Sequence, residues 1–280
     1  MTDRADANYQ AILNSPSLTL AEQDVALLAK PELRSVRMQL ELLKPEMALE
    51  EHDIRSTIVV FGGTKILERS EAESALHAAQ QAMAADPANP ALARVVTRCE
   101  RLWAKSSYYD DAREFSRLIS TLGQETGPRH YVVVTGGGPG IMEAANRGAF
   151  DADAKSIGLN IRLPAEQTPN RYITPELCFQ FHYFALRKLH FLLRALALVV
   201  FPGGFGTIDE LFDALTLRQT NRMQAIPIIL YGREYWQRVI DFQFLADEGV
   251  IADEHLSLLN YAETPQEIMD LLESGPLAAF

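Results

Sequence analysis

ALVVFPGGFGTIDELFDAL, residues 197–215, holds an apolar β-branched run, a proline, three glycines in four positions and then a helical pattern. The run Ala197–Phe201 reads as a buried strand. Gly203, Gly204 and Gly206 read as a turn at its carboxyl end, and Thr207 onward as the next helix. A strand that ends in glycines and feeds a helix is one half of a βαβ unit. The same form recurs. STIVVFGG (56–63) and YVVVTGGGPG (131–140) are apolar runs closed by glycines, and SIGLNIRLP (156–164) and AIPIILYG (225–232) are further buried strands. HLSLLNYA (255–262) is a weak last strand. Helical patterns lie between them at 69–85, 90–122, 140–152, 177–195, 206–220, 234–247 and 265–274. Alternating strands and helices with near-continuous apolar strands predict a parallel α/β sheet, doubly wound, with helices on both faces.

Residues 1–55 form a different region, an N-terminal helical extension to a domain over 56–280. TLAE (19–22) has the spacing of a capping box. Leu33, Val36, Leu40 and Leu43 fall on one stripe, which Pro45 interrupts. The first crossover is long for an α/β unit. ADPANP (85–90) splits it, with Asn89 as helix cap and Pro90 at the first helical position.

Composition narrows the function. The 280 residues carry a formal net charge of −11 and are 48% hydrophobic. No long basic cluster is present, so a nucleic-acid surface is not expected. The N-terminus is polar and acidic, unlike a signal peptide, and the longest apolar stretch is broken by Arg194. A cytoplasmic protein without membrane contact is expected. Cys99 and Cys178 read as inert thiols of a reducing compartment.

Glycine-rich strand ends in an open parallel sheet lie where ligands bind. The helix N-termini behind them suit an anion. GGGPGI (136–141) is not G-x-G-x-x-G, and GLNIRLP offers Asn160 and Arg162 in place of an acidic ribose ligand. A dinucleotide is therefore disfavoured, and without G-x-x-x-x-G-K-[ST] so is a P-loop nucleotide site. One phosphate with a sugar and base fits better. No histidine has metal-ligand spacing, so neither metal nor cofactor is expected. Along FHYFALRKLHFLLRA (181–195), Tyr183, Arg187, His190 and Arg194 share one stripe, with Lys188 and Arg194 read as solvated cations. Thr207 and Glu210 have two readings. T-x-x-E is a capping box, and a carboxylate beside a phosphate site is also where a hydrolase keeps its base.

GGGPGIMEAANRGA (136–149), the Arg187–Lys188 pair and PGGFGTIDE (202–210) resemble the LONELY GUY family, a group long labelled lysine-decarboxylase-like. The resemblance covers about residues 56–250. It implies a Rossmann-like fold and hydrolysis of the N-glycosidic bond of a nucleoside 5′-monophosphate, AMP or a cytokinin riboside monophosphate, to free base and ribose 5-phosphate. It implies Arg187 and Glu210 as the catalytic pair. It assigns the phosphate to Gly203, Gly204, Gly206 and Thr207 with Gly137, Gly138 and Gly140. Further substrate contacts fall to Gly63, Thr64, Lys188 and Glu143. A homo-oligomer, at least a dimer, is expected from the apolar helix over 177–195 and the helical extension, and the resemblance points the same way. Thr64 stands where relatives often carry serine, and the extension and long crossover match the longer bacterial members. The reading from a different class is a non-catalytic nucleotide-binding or sensing protein on the same fold.

Overall fold

The computed structural model describes residues 2–124, 127–163, 168–275 and 277. The chain divides into two compact units, Met1–Lys44 and Pro45–Phe280. The first holds α1 (Thr2–Leu13), the short α2 (Val25–Leu28) and most of α3 (Arg34–Glu51). Thr19–Glu22 forms no capping box. Asp24 caps α2 instead, its side chain accepting from Leu27 N–H. Leu27 is three residues beyond Asp24, whereas Thr19 ends a short 3-10 turn. Pro45 does not interrupt α3, which runs through it. Proline removes one N–H from such a helix, and here the buried ring packs inward instead of ending it.

The second unit is built on seven strands: β1 (Thr57–Phe61), β2 (Val132–Thr135), β3 (Ser156–Ile161), β4 (Cys178–Phe181), β5 (Ala195–Val200), β6 (Ile228–Tyr231) and β7 (Leu259–Ala262). Every pairing is parallel and the order is β4-β3-β2-β1-β5-β6-β7. The helices between are α4 (Arg69–Ala85), α5 (Pro90–Trp103), α6 (Ser107–Ser120), α7 (Ile141–Asp151), α8 (Phe184–Leu193), α9 (Phe205–Gln219), α10 (Arg233–Val239), α11 (Phe242–Asp247) and α12 (Pro265–Glu273).

Alternate strand residues feed opposite faces, as the period of two requires. Val59, Phe61, Leu198 and Val200 enter one core with Phe191, Leu211 and Trp236 from α8, α9 and α10. Ile58, Val60, Ala197 and Val199 enter the other with Phe115, Ala144 and Ile268 from α6, α7 and α12. The doubly wound α/β expectation is met. Asn89 caps α5 through Ala91 N–H, with Pro90 first in the helix, as its sequence implies.

The expected helix over 177–195 is corrected. Cys178–Phe181 is an edge strand, α8 begins only at Phe184, and Ala195 already belongs to β5. Four apolar-rich residues carry too little periodicity to separate strand from helix. The expected helix over 90–122 is two, broken at Ala104–Ser106.

The chain winds outward from β1 through β4, returns to lie beside β1 as β5, and continues to β7. The direction of winding therefore reverses between β1 and β5. Such a reversal opens a crevice at the strands' carboxyl ends.

Candidate active site

Backbone pairing continues past the ends of β1 and β5. Phe201 N–H donates to Phe61 O and Gly63 N–H to Pro202 O, both at 2.9 Å. The two glycine turns are thus held side by side. The third joins them through Ile141 N–H, which donates to Gly63 O at 3.2 Å. Gly140 has φ +72°, and a Cβ there would strike the Gly63 carbonyl. Only glycine meets both conditions.

These turns surround a cleft of about 400 Å³. Gly62, Gly63 and Thr64 line it after β1, and Gly136 after β2. Asn160 and Ile161 line it at the end of β3, and Gly204, Phe205, Gly206, Thr207 and Glu210 at the start of α9. Arg187 and Phe184 reach it from α8. Arg187 is the sole cation among the described lining residues.

The first turn of α9 is open. Gly204 occupies the cap position and no side chain caps the helix. Thr207 is therefore the third helical residue, not the cap, and T-x-x-E makes no capping box here. Uncapped N–H groups with the positive end of the helix dipole face the cleft, a setting suited to a phosphate. Gly204 and Gly206 have open space where a Cβ would lie, so a ligand can approach that backbone closely. Thr207 is buried, with its hydroxyl against Gly203.

Deeper in the cleft Arg187 Nη1 meets Glu210 Oε1 at 3.3 Å, the two side chains being 11% and 14% exposed. Arg187 Nε donates to Leu159 O at 2.7 Å, and its guanidinium lies 5.1 Å from the centre of the Phe191 ring. Gly136 makes room for that guanidinium, since a Cβ there would meet Arg187 Nη2. Burial pushes the Glu210 carboxyl up to about 7, and Arg187 offsets part of the rise. The same desolvation moves the Arg187 guanidinium down, with Glu210 opposing it. Loss of water penalises both charges. The guanidinium keeps its proton at neutral pH, so the carboxylate is the member that titrates.

Other residues assigned from the sequence lie elsewhere. Glu143 accepts from Tyr109 Oη at 3.0 Å and does not line the cleft. Lys188 Nζ pairs with Asp209 Oδ1 at 2.8 Å and lines a separate groove of about 1020 Å³. It is not the solvated cation expected, and neither is Arg194. Arg194 donates to Ile54 O at 2.9 Å and to Glu46 at 2.8 Å. The stripe brings His190 beside Glu46 as well, at 3.5 Å, and of its members Arg187 alone reaches the cleft. Gly137 and Gly138 support the site from behind. Gly137 N–H donates to Thr135 Oγ1, while Asn170 donates to both glycine carbonyls and to Asn146. Gly203 is held by Tyr235, whose hydroxyl donates to its carbonyl at 2.5 Å.

Sequence reasoning assigned no role in the site to Gly136, Asn160, Asn170 or Tyr235, although Gly136 stood in one of the glycine turns it singled out. Asn160 carried a signal, a polar residue inside an apolar strand. Asn170 and Tyr235 are distant in sequence from the turns they hold and carried none. Among the described residues no group of three or more His, Cys, Asp or Glu is placed to hold a metal ion. No described helix is long and apolar enough to cross a membrane.

A family model described as "Possible lysine decarboxylase" matches residues 142–272. A cytokinin riboside 5′-monophosphate phosphoribohydrolase of Arabidopsis thaliana is 27% identical over 185 residues, 64% of this chain and 81% of its own length. A pyrimidine/purine nucleotide 5′-monophosphate nucleosidase of Escherichia coli (strain K12) is 29% identical over 159 residues, 53% of this chain and 33% of that protein. A solved structure described as the molybdenum cofactor binding protein of Rippkaea orientalis has a TM-score of 0.45 at 20% identity, covering 79% of this chain and 96% of that one. The resemblance to the LONELY GUY family, carried by the glycine turns and the Arg187–Glu210 spacing, is borne out by the family model and the named relatives.

Proposed function

We propose that the chain is a hydrolase of N-glycosyl bonds that cleaves a nucleoside 5′-monophosphate, AMP or a cytokinin riboside monophosphate, to free base and ribose 5-phosphate. The observation that carries this reading is the desolvated Arg187–Glu210 pair, set in the same cleft as the uncapped start of α9. The N–H groups of the Gly204–Thr207 turn take the 5′-phosphate, with Gly63 and Thr64 beside it. That remote contact fixes the sugar and supplies binding energy for the chemical step. Bond cleavage leaves positive charge on the anomeric carbon, as in other glycoside hydrolyses. The Glu210 carboxylate stabilises that charge and accepts a proton from the attacking water. The water's hydroxyl goes to the anomeric carbon, the proton taken by Glu210 is released to solvent, and the leaving base takes one proton from solvent, so one water is consumed overall. Arg187, fixed by Leu159 O, orients the carboxylate.

Lys188 gives the decarboxylase label no support, because Asp209 engages its amine outside the cleft. Wild-type protein incubated with AMP is expected to release adenine, with kcat/KM for AMP above that for adenosine by about 100-fold or more. Equal values for the two would remove the phosphate anchor. Binding of AMP without base release would leave a nucleotide-binding module instead. A homo-oligomer belongs to the same proposal. Leu189 and Leu193 of α8 are exposed along the larger groove and would be covered by a second copy. Light scattering at micromolar concentration is expected to give at least twice the chain mass of 31.2 kDa.

A further inference from the structure

Phosphate anchoring and the Glu210 carboxylate leave the rim of the cleft unexplained. Phe205, the first residue of α9, is 92% exposed, and Phe184, the first residue of α8, is 52% exposed. Both line the cleft together with Leu163, Ile161 and Met142. Phenylalanine normally lies in cores, and two exposed rings beside one cleft mark a surface built to be covered. Neither position needs an aromatic for its helix, since first turns favour proline or acidic residues.

The Asn160 amide and the Arg187 guanidinium are already engaged. Asn160 donates to Phe179 O at 3.2 Å, and Arg187 donates to Leu159 O and Glu210. Thr207 lies against Gly203. Apart from Thr64, which lies beside the phosphate in this reading, few polar side chains line the cleft to read the hydrogen-bonding edge of a base. What remains is apolar and aromatic, which meets the flat face of a ring. A cleft of about 400 Å³ is within the range of small-molecule sites.

We infer that Phe184 and Phe205 form the platform for the leaving base, an inference that rests on the phosphoribohydrolase reading. The enzyme then takes bases with a large flat face, purines ahead of pyrimidines. It tolerates substituents on the base edge, because stacking engages the face and not the edge.

The test uses the full chain, with kcat and KM measured for AMP and UMP and the inhibition constant for ribose 5-phosphate, which lacks a base. Phe205→Ala and Phe184→Ala are each expected to raise KM for AMP about 10-fold, the scale of one lost stacking partner. The effect on UMP is smaller, and kcat and ribose 5-phosphate inhibition are unchanged. Phe205→Trp restores the wild-type KM. Unchanged KM for AMP in both alanine variants overturns the platform. So does equal weakening of AMP and ribose 5-phosphate, which would mean a distorted phosphate turn. A lower sedimentation coefficient of Phe205→Ala with unchanged KM also overturns it, because the ring would then be covered by a second copy. If the wild type releases no base from any nucleotide, the phosphoribohydrolase reading fails. Calorimetric titration with AMP and ribose 5-phosphate then decides the platform. Selective loss of AMP affinity in Phe205→Ala upholds it, and equal affinity, or no AMP binding by the wild type, overturns it.

Discussion

Glu210 is a carboxylate placed where its charge is disfavoured. Burial raises its pKa to about 7 and Arg187 recovers only part of the loss. A carboxyl raised from 4.5 to about 7 binds more protons folded than unfolded between those values. Its contribution to stability is therefore full below pH 4.5 and is lost as pH rises through about 7. Activity runs the opposite way, because the ionised form is the one that acts. We expect kcat/KM for AMP to rise with pH to a plateau with a midpoint near 7. In Glu210→Gln that limb should vanish, with kcat lower by about 100-fold or more. The decline in melting temperature across the same pH range should also shrink. A variant with the wild-type pH profile and rate would leave Glu210 no part in the chemistry. At this scale the sequence was informative where spacing constrains geometry. Arg187 and Glu210 meet because one strand separates the two helices that carry them. Glu143 was legible only as a member of a motif, and which side of α7 faces Tyr109 is decided by packing against α6.

Among the elements, the five stronger strands could be read from their apolar runs, and the glycines marked which ends open toward a ligand. β4 could not, because Cys178–Phe181 is as short as an edge strand can be and abuts a helical pattern. Its presence matters to the site. Asn160 on β3 donates to Phe179 O of β4, and that bond holds a cleft-lining residue in place. The supports of the phosphate turn are equally non-local. Tyr235 lies on α10, more than thirty residues beyond the Gly203 carbonyl it donates to. Trp236 beside it donates to Val200 O and Tyr231 O, so α10 braces the ends of both β5 and β6. Removing the Tyr235 hydroxyl costs one hydrogen bond, about 1 kcal/mol, at a turn that binds and does not react. Tyr235→Phe is expected to raise KM for AMP about fivefold with kcat unchanged. A fall in kcat at constant KM would instead place Tyr235 in the reaction.

Across the whole molecule charge is distributed against the substrate. The chain carries −11, and Glu210 neutralises the sole cation among the described lining residues of the cleft. Most phosphate sites with lysines and arginines gain from long-range attraction, which salt screens away. Here attraction is confined to N–H groups in the first turn of α9, whose effect falls off within that turn. Beyond it, an approaching nucleotide dianion meets a negative field. Raising ionic strength shortens the Debye length from about 30 Å at 0.01 M to about 8 Å at 0.15 M. That change removes the repulsion and leaves the short-range contacts with little screening. We therefore expect kcat/KM for AMP to increase over this range, while kcat stays constant because the bound complex is already formed. Adenosine, which carries no charge, serves as the control and should show no trend. A kcat/KM for AMP that falls with added salt would mean that the phosphate is met by unpaired cations, and the assignment of the phosphate to the glycine turn and the start of α9 would then be wrong.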